Sequence, residues 1–111
     1  GFIGLEMAEN LHHAGAEVSV VEMGNQVMAP VDFSIASHVH QHLLQKGVRL
    51  FLGQSVERLE RSGNNIEVFF AHGGSIVTDL VILSIGVRPE ITLAKVAGLR
   101  IGDAGGQMFM P

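Results

Sequence analysis

Two glycines three positions apart, Gly1 and Gly4, lead straight into an amphipathic helical pattern, and few local signals restrict a fold as strongly. Ile3, Met7 and Leu11 recur at helical spacing and Leu5, Ala8 and Ala14 widen the stripe, while Glu6, Glu9, Asn10, His12 and His13 occupy much of the rest. Gly15 suits the left-handed position that ends such a helix. Glu17-Val18-Ser19-Val20-Val21-Glu22 then reads as a short β-branched strand between Gly15 and Gly24. Helix, tight turn and strand make half of a βαβ unit. The same order follows the last two glycines of a G-x-G-x-x-G turn, in which the first glycine makes the turn after a buried strand. The second lets backbone approach a pyrophosphate, and the third lets helix and strand pack closely. Gly1 and Gly4 stand as the second and third, so the chain reads as a fragment whose first glycine and first strand lie upstream.

Glycine spacing alone is a weak signal for a nucleotide, since two glycines can also simply pack a helix on a sheet. Glu22 shifts the balance, because an acid at the end of the second strand, about 20 residues past the glycines, is placed to accept hydrogen bonds from a ribose diol. The same carboxylate repels a 2′-phosphate, and Met23 to Met28 contains no Arg or Lys to attract one. NADH is therefore favoured over NADPH. A solvated acid at a strand end is the plainer alternative. S-adenosylmethionine-dependent methyltransferases also combine a glycine-rich first turn with an acid ending strand two, so the remaining chain has to decide.

Composition narrows the classes. The 111 residues allow one domain, with 47% hydrophobic residues, 16% charged residues and 14 glycines, which suits a packed α/β domain of marginal stability. A net charge of −4, with seven Lys and Arg scattered along the chain, leaves no basic stripe for nucleic acid. Apolar runs such as Leu80 to Leu83 fall far short of the roughly 20 residues that span a bilayer, so no membrane is expected as a partner. Absent cysteine removes disulfides and thiolate chemistry from this segment and is compatible with a reducing cytoplasm.

Met23 to Val31, with Gly24, Asn25 and Pro30, has no sustained period and reads as a loop. Asp32 or Ser34 can cap a second helix carrying Ile35, Val39 and Leu43, which Gly47 ends before a Val48 to Leu52 strand. Ser55 to Arg61, Ile66 to Ala71 and Ser75 to Thr78 are separated by Gly63-Asn64-Asn65 and His72-Gly73-Gly74, the chemistry of a three-stranded antiparallel meander. Asp79 to Gly86 is nearly continuously apolar, as in a strand covered on both faces that returns to the parallel sheet. Thr92 to Ala97 reads as a short helix ended by Gly98. His38 and His42 share a helix face with His40 on another, but no third ligand completes a metal site, so a solvated face is expected and no metal. Met23 and Met28 read as loop and cleft packing.

Ser84-Ile85-Gly86-Val87-Arg88-Pro89-Glu90 after Asp79-Leu80-Val81-Ile82 resembles the closing signature of the NAD-binding domain in FAD-dependent pyridine nucleotide-disulfide oxidoreductases, and Gly1 to Glu9 resembles its opening. With Glu22 and Gln26 to Asp32, the likeness covers essentially the whole chain and is nearest the coenzyme A-disulfide reductase and NADH oxidase branch. It implies a Rossmann-like three-layer α/β domain with an antiparallel β-meander crossover, its first strand missing. Residues 1–90 would form the NAD(H)-binding domain and 91–111 a connector returning to an FAD domain.

The resemblance also implies roles. Gly1, Ile3 and Gly4 would line the pyrophosphate and adenosine side, with Phe2 beside them, and Glu22 would hold the adenine ribose. Glu6 would be the catalytic residue, near nicotinamide and flavin. Gly86 would leave room for the nicotinamide, next to Ile85. For Glu6 the simpler reading is an acid favoured by the helix dipole, and for Gly86 a strand-ending turn. NAD(H) would bind here and FAD in the remainder of a homodimeric cytoplasmic enzyme, which passes hydride from nicotinamide to flavin and on to a disulfide, coenzyme A disulfide, polysulfide or oxygen. The segment by itself would be inactive. A stand-alone nucleotide-binding or redox-sensing module, or a structural domain with a vestigial site, is the rival. Without its first strand the sheet has two hydrophobic edges, which would close on each other, accept a swapped strand from a second copy, or receive upstream residues.

Overall fold

Element order follows the places where glycine interrupts apolar periodicity. In the computed structural model, which describes residues 1–102, helices α1 (Phe2–His13) and α2 (Phe33–Gln45) end on the same backbone device. Gly15 and Gly47 have φ of +90° and +83°, a region that a side chain occupies only at a cost. The residue after each glycine reaches back five positions, Ala16 N–H donating to the Leu11 carbonyl and Val48 N–H to the Leu43 carbonyl, both at 3.0 Å. The chain is thereby turned directly toward strands β1 (Ser19–Glu22) and β2 (Arg49–Leu52). Asp32 is the N-cap of α2 as expected, though it caps through its carbonyl, which accepts from Ile35 and Ala36 N–H, without a side-chain bond.

β1 and β2 pair in parallel, with Val20 opposite Leu50 and Glu22 opposite Leu52, and α2 is the crossover between them. Val18 and Val48 pack with Ala8 of α1 and Leu43 of α2 in one buried cluster, flanked by Val20 and Leu50, so both helices cover the same face of the pair. On the opposite face Phe51 meets Phe70, ring centroids 5.3 Å apart. Phe70 belongs to the meander of β3 (Val56–Ser62), β4 (Asn65–Phe70) and β5 (Ser75–Thr78), paired in that order. Helices, parallel strands and antiparallel sheet thus form the three expected layers. Alternation along β4 buries Val68 and Phe70, while β3 is exposed along its whole length.

The segment from Asp79 to Gly86 departs from its expected form. It pairs with no strand, and Leu80, Leu83 and Ile85 are 63%, 65% and 88% exposed. An apolar strand is covered on both faces only when it has neighbours in a sheet, and here β1, whose second edge is free, and the segment line a common cavity of about 520 Å³. Ala8, Leu11, Val18 and Val20 line one side of this slot, with Val81 and Leu83 on the other. Direct closure of the two edges is therefore not what the chain adopts.

Beyond the slot, α3 (Thr92–Val96) ends at Gly98 as anticipated. Of the glycine-rich stretch after Ile101 only Gly102 lies among the described residues. No helix among the described residues is long and apolar enough to cross a membrane.

Candidate dinucleotide-binding site

β1 runs toward the start of α1 and delivers Glu22 there. Glu22 Oε2 lies 3.8 Å from Gly1 N, so the glycine turn and the acid of the partial fingerprint are neighbours in space. Glu22 Oε1 accepts the Gly24 N–H at 2.9 Å. The backbone on either side is also tied to the end of β2, where Gln54 N–H donates to the Glu22 carbonyl at 3.1 Å and Gly53 N–H to the Gly24 carbonyl at 2.9 Å. One carboxylate oxygen is thus held by its own loop and the other is turned to the glycine turn, with the side chain 28% exposed. Such an oxygen can accept from a vicinal diol.

The helix start offers the complementary chemistry. Leu5 N–H closes the first helical bond on the Gly1 carbonyl at 3.2 Å, and no side chain caps α1. The N–H groups of Phe2, Ile3 and Gly4 therefore have no acceptor within the helix and, with the dipole, favour an anion. A Cβ added at Gly1 would meet nothing within 4 Å, so the space in front of the turn is open. Gly4 is different. A Cβ there would lie 3.2 Å from Ser84 Cβ and 3.3 Å from Ser84 Oγ, which makes it the glycine of close approach and joins the first turn of α1 to the end of the 79–86 segment.

Other expected site residues are displayed at the surface. Phe2 and Ile3 are 57% and 67% exposed and Ile85 projects still further. Glu6 is the fifth residue of α1, past the turn over which a helix dipole acts, so the dipole explanation loses its geometric basis. Its carbonyl accepts Asn10 Nδ2 at 2.8 Å, and its side chain is left exposed. Gly86 has φ of +95° with no atom within 4 Å of an added Cβ; since no strand precedes it, the backbone conformation calls for glycine, and a strand-ending turn does not explain it.

Three participants were not legible in the sequence. Gly24 anchors Glu22, Ser84 abuts Gly4, and His40 accepts the Val27 N–H at Nε2, 3.1 Å away. His40 is consequently half-buried and is not part of a solvated face, whereas His38 and His42 are exposed; among the described residues no three His, Asp or Glu side chains converge as metal ligands. Met23, expected to pack, stands 77% exposed.

A glycine turn beside an anchored acid, on a parallel pair backed by a meander, has counterparts among known proteins. The pattern of the family described as pyridine nucleotide-disulphide oxidoreductase matches residues 1–108. The chain belongs to that family. An NADH oxidase of Methanocaldococcus jannaschii is 39% identical over 103 residues, covering 92% of this chain and 23% of that protein. The structure of reduced CoADR-RHD from Bacillus anthracis superposes with a TM-score of 0.85 at 48% identity, covering 95% of this chain and 18% of that one. A water-forming NADH oxidase from Lactobacillus brevis, solved with NADH bound, gives 0.83 at 32% identity, over 95% of this chain and 23% of that one. This member of the pyridine nucleotide-disulphide oxidoreductases thus spans about a quarter or less of the length of these relatives.

Proposed function

We propose that the chain forms the NAD(H)-binding part of a flavoprotein oxidoreductase. The observation that carries this reading is the Glu22 carboxylate, fixed by Gly24 N–H and set 3.8 Å from Gly1 N. These groups fit a dinucleotide: free N–H groups of Phe2, Ile3 and Gly4 for the pyrophosphate, open space at Gly1, and an acceptor oxygen on Glu22 for the adenine ribose. When bound, NADH supplies the hydride, which passes to FAD held elsewhere in the protein. The exposed Glu6, Ile85 and Gly86 present side chain and backbone toward the nicotinamide and flavin side, and Gly86 adds no atom that would crowd a ring there. The final acceptor is a disulfide, coenzyme A disulfide, polysulfide or oxygen.

Residues 1–90 make up the nucleotide domain and 91–111 the connector to the FAD domain. The slot between β1 and residues 79–86 takes a first strand that ends at the glycine turn, supported by the unpaired edges and apolar lining on both sides. The whole enzyme is a cytoplasmic homodimer, and the isolated chain is colourless and without turnover. Steady-state kinetics of the full-length protein with both coenzymes tests the reading: kcat/KM is expected to be higher with NADH. A preference for NADPH, or no oxidation of either, would contradict it.

A further inference from the structure

Residues 23–31 form the loop that follows Glu22, and its interior is held by one bond from α2. Val27 in the middle of this loop has no exposed surface. A buried N–H needs an acceptor, and here no strand supplies one. His40 does so across thirteen residues, Nε2 accepting Val27 N–H at 3.1 Å. A backbone N–H only donates, so Nε2 takes part through its lone pair. The ring is steadied by Phe33, which meets it edge to face with centroids 6.1 Å apart.

The rest of the loop is built outward from that point. Met28, next to Val27, has φ of +56°, a conformation that a residue with a side chain keeps only when its surroundings impose it. Beyond it the loop closes on itself, Val31 N–H donating to the Met28 carbonyl at 3.0 Å and Gln26 Nε2 to the Val31 carbonyl at 2.8 Å. On the other side only Asn25 and Gln26 separate Val27 from Gly24, whose N–H fixes the Glu22 carboxylate.

We infer that His40 is a positioning residue for the nucleotide site: its Nε2 locks the 23–31 loop through Val27 and thereby holds Gly24 and Glu22 in register for the ribose. This rests on the reading of Glu22 proposed above, and the two are separable by experiment. In the full-length protein without nucleotide, amide hydrogen exchange over residues 23–31 is compared for wild type, H40F, which keeps an aromatic ring but has no acceptor, and H40Q, whose Oε1 can accept. The same three proteins are assayed for KM and kcat with NADH. H40F is expected to exchange faster in this loop and to raise KM on the order of fivefold, the effect of one net hydrogen bond, with kcat within about twofold. H40Q is expected to resemble wild type in both respects. Unchanged exchange and KM in H40F, or an H40Q as impaired as H40F, would overturn the inference. Should H40F not fold, H40Q decides by itself, protected exchange supporting the lock and lost protection refuting it. Failure of wild type to use NADH would remove the reading of Glu22 while leaving the nucleotide-free exchange comparison to judge the lock.

Discussion

With Glu22 Oε1 committed to Gly24 and Oε2 turned to the glycine turn, replacing Glu22 removes the acceptor oxygen that faces the turn. E22A is expected to weaken NADH binding to the full-length protein by about 1–3 kcal/mol, read by fluorescence titration, and to narrow the difference between NADH and NADPH. Gly4 offers a test of packing. Alanine is the better helix former by about 1 kcal/mol, but its methyl would press on Ser84, whose Cβ and Oγ both lie inside ordinary contact distance. G4A is thus expected to be neutral or destabilising by itself and stabilising by up to about 1 kcal/mol in an S84G background; equal effects in the two backgrounds, measured by denaturant unfolding, would remove Ser84 as the reason for glycine. The nearness of Glu22 to the glycine turn was legible because its distance from the glycines and its place at a strand end are both properties of sequence. Ser84 and His40 were not, since what a residue touches across the fold has no local signal: helical periodicity places His40 off the His38/His42 face, but does not reveal that a loop will lay its N–H against the ring.

At the scale of elements, the antiparallel sheet is held on by an aromatic contact more than by its surface charges. Phe70 is buried against Phe51, whereas Arg58 stacks over Phe69 at 3.8 Å and pairs with Glu57 and Glu60 entirely on the exposed strand β3. F70A is expected to cost about 3–5 kcal/mol and to lower the thermal midpoint markedly, whereas R58A, whose charge is screened by solvent, is expected hardly to move it. Equal effects would show that charge, not the packed ring, fastens this layer. Helices α1 and α2 and all three meander strands were legible to within a few residues because glycines and Asx-rich turns mark their ends, and Gly15 and Gly47 carry the positive φ that their positions demand. The 79–86 run was misread for a physical reason. A continuous apolar stretch reports the burial a strand requires, and whether that burial is realised depends on the strand beside it, which lies outside the stretch.

For the molecule as a whole, the slot of about 520 Å³ separates what the chain can bury from what it can only offer. A full-length protein in which a preceding strand occupies it is expected to protect the amides of residues 79–86 from exchange, and the chain of residues 1–111 by itself to leave them fast; protection in the isolated chain would mean that the slot closes by another route. Its position adds something that pairing alone does not. The slot runs beneath the turn at Gly1, so a strand seated there and a dinucleotide at the turn would be thermodynamically coupled ligands of one site. Whatever factor the strand contributes to nucleotide affinity, nucleotide must return to the strand's hold on the sheet. NADH at about 100 times its dissociation constant would then add about 2.7 kcal/mol to the stability of the folded domain, so that cofactor supply would also bear on the fraction unfolded and open to proteolysis.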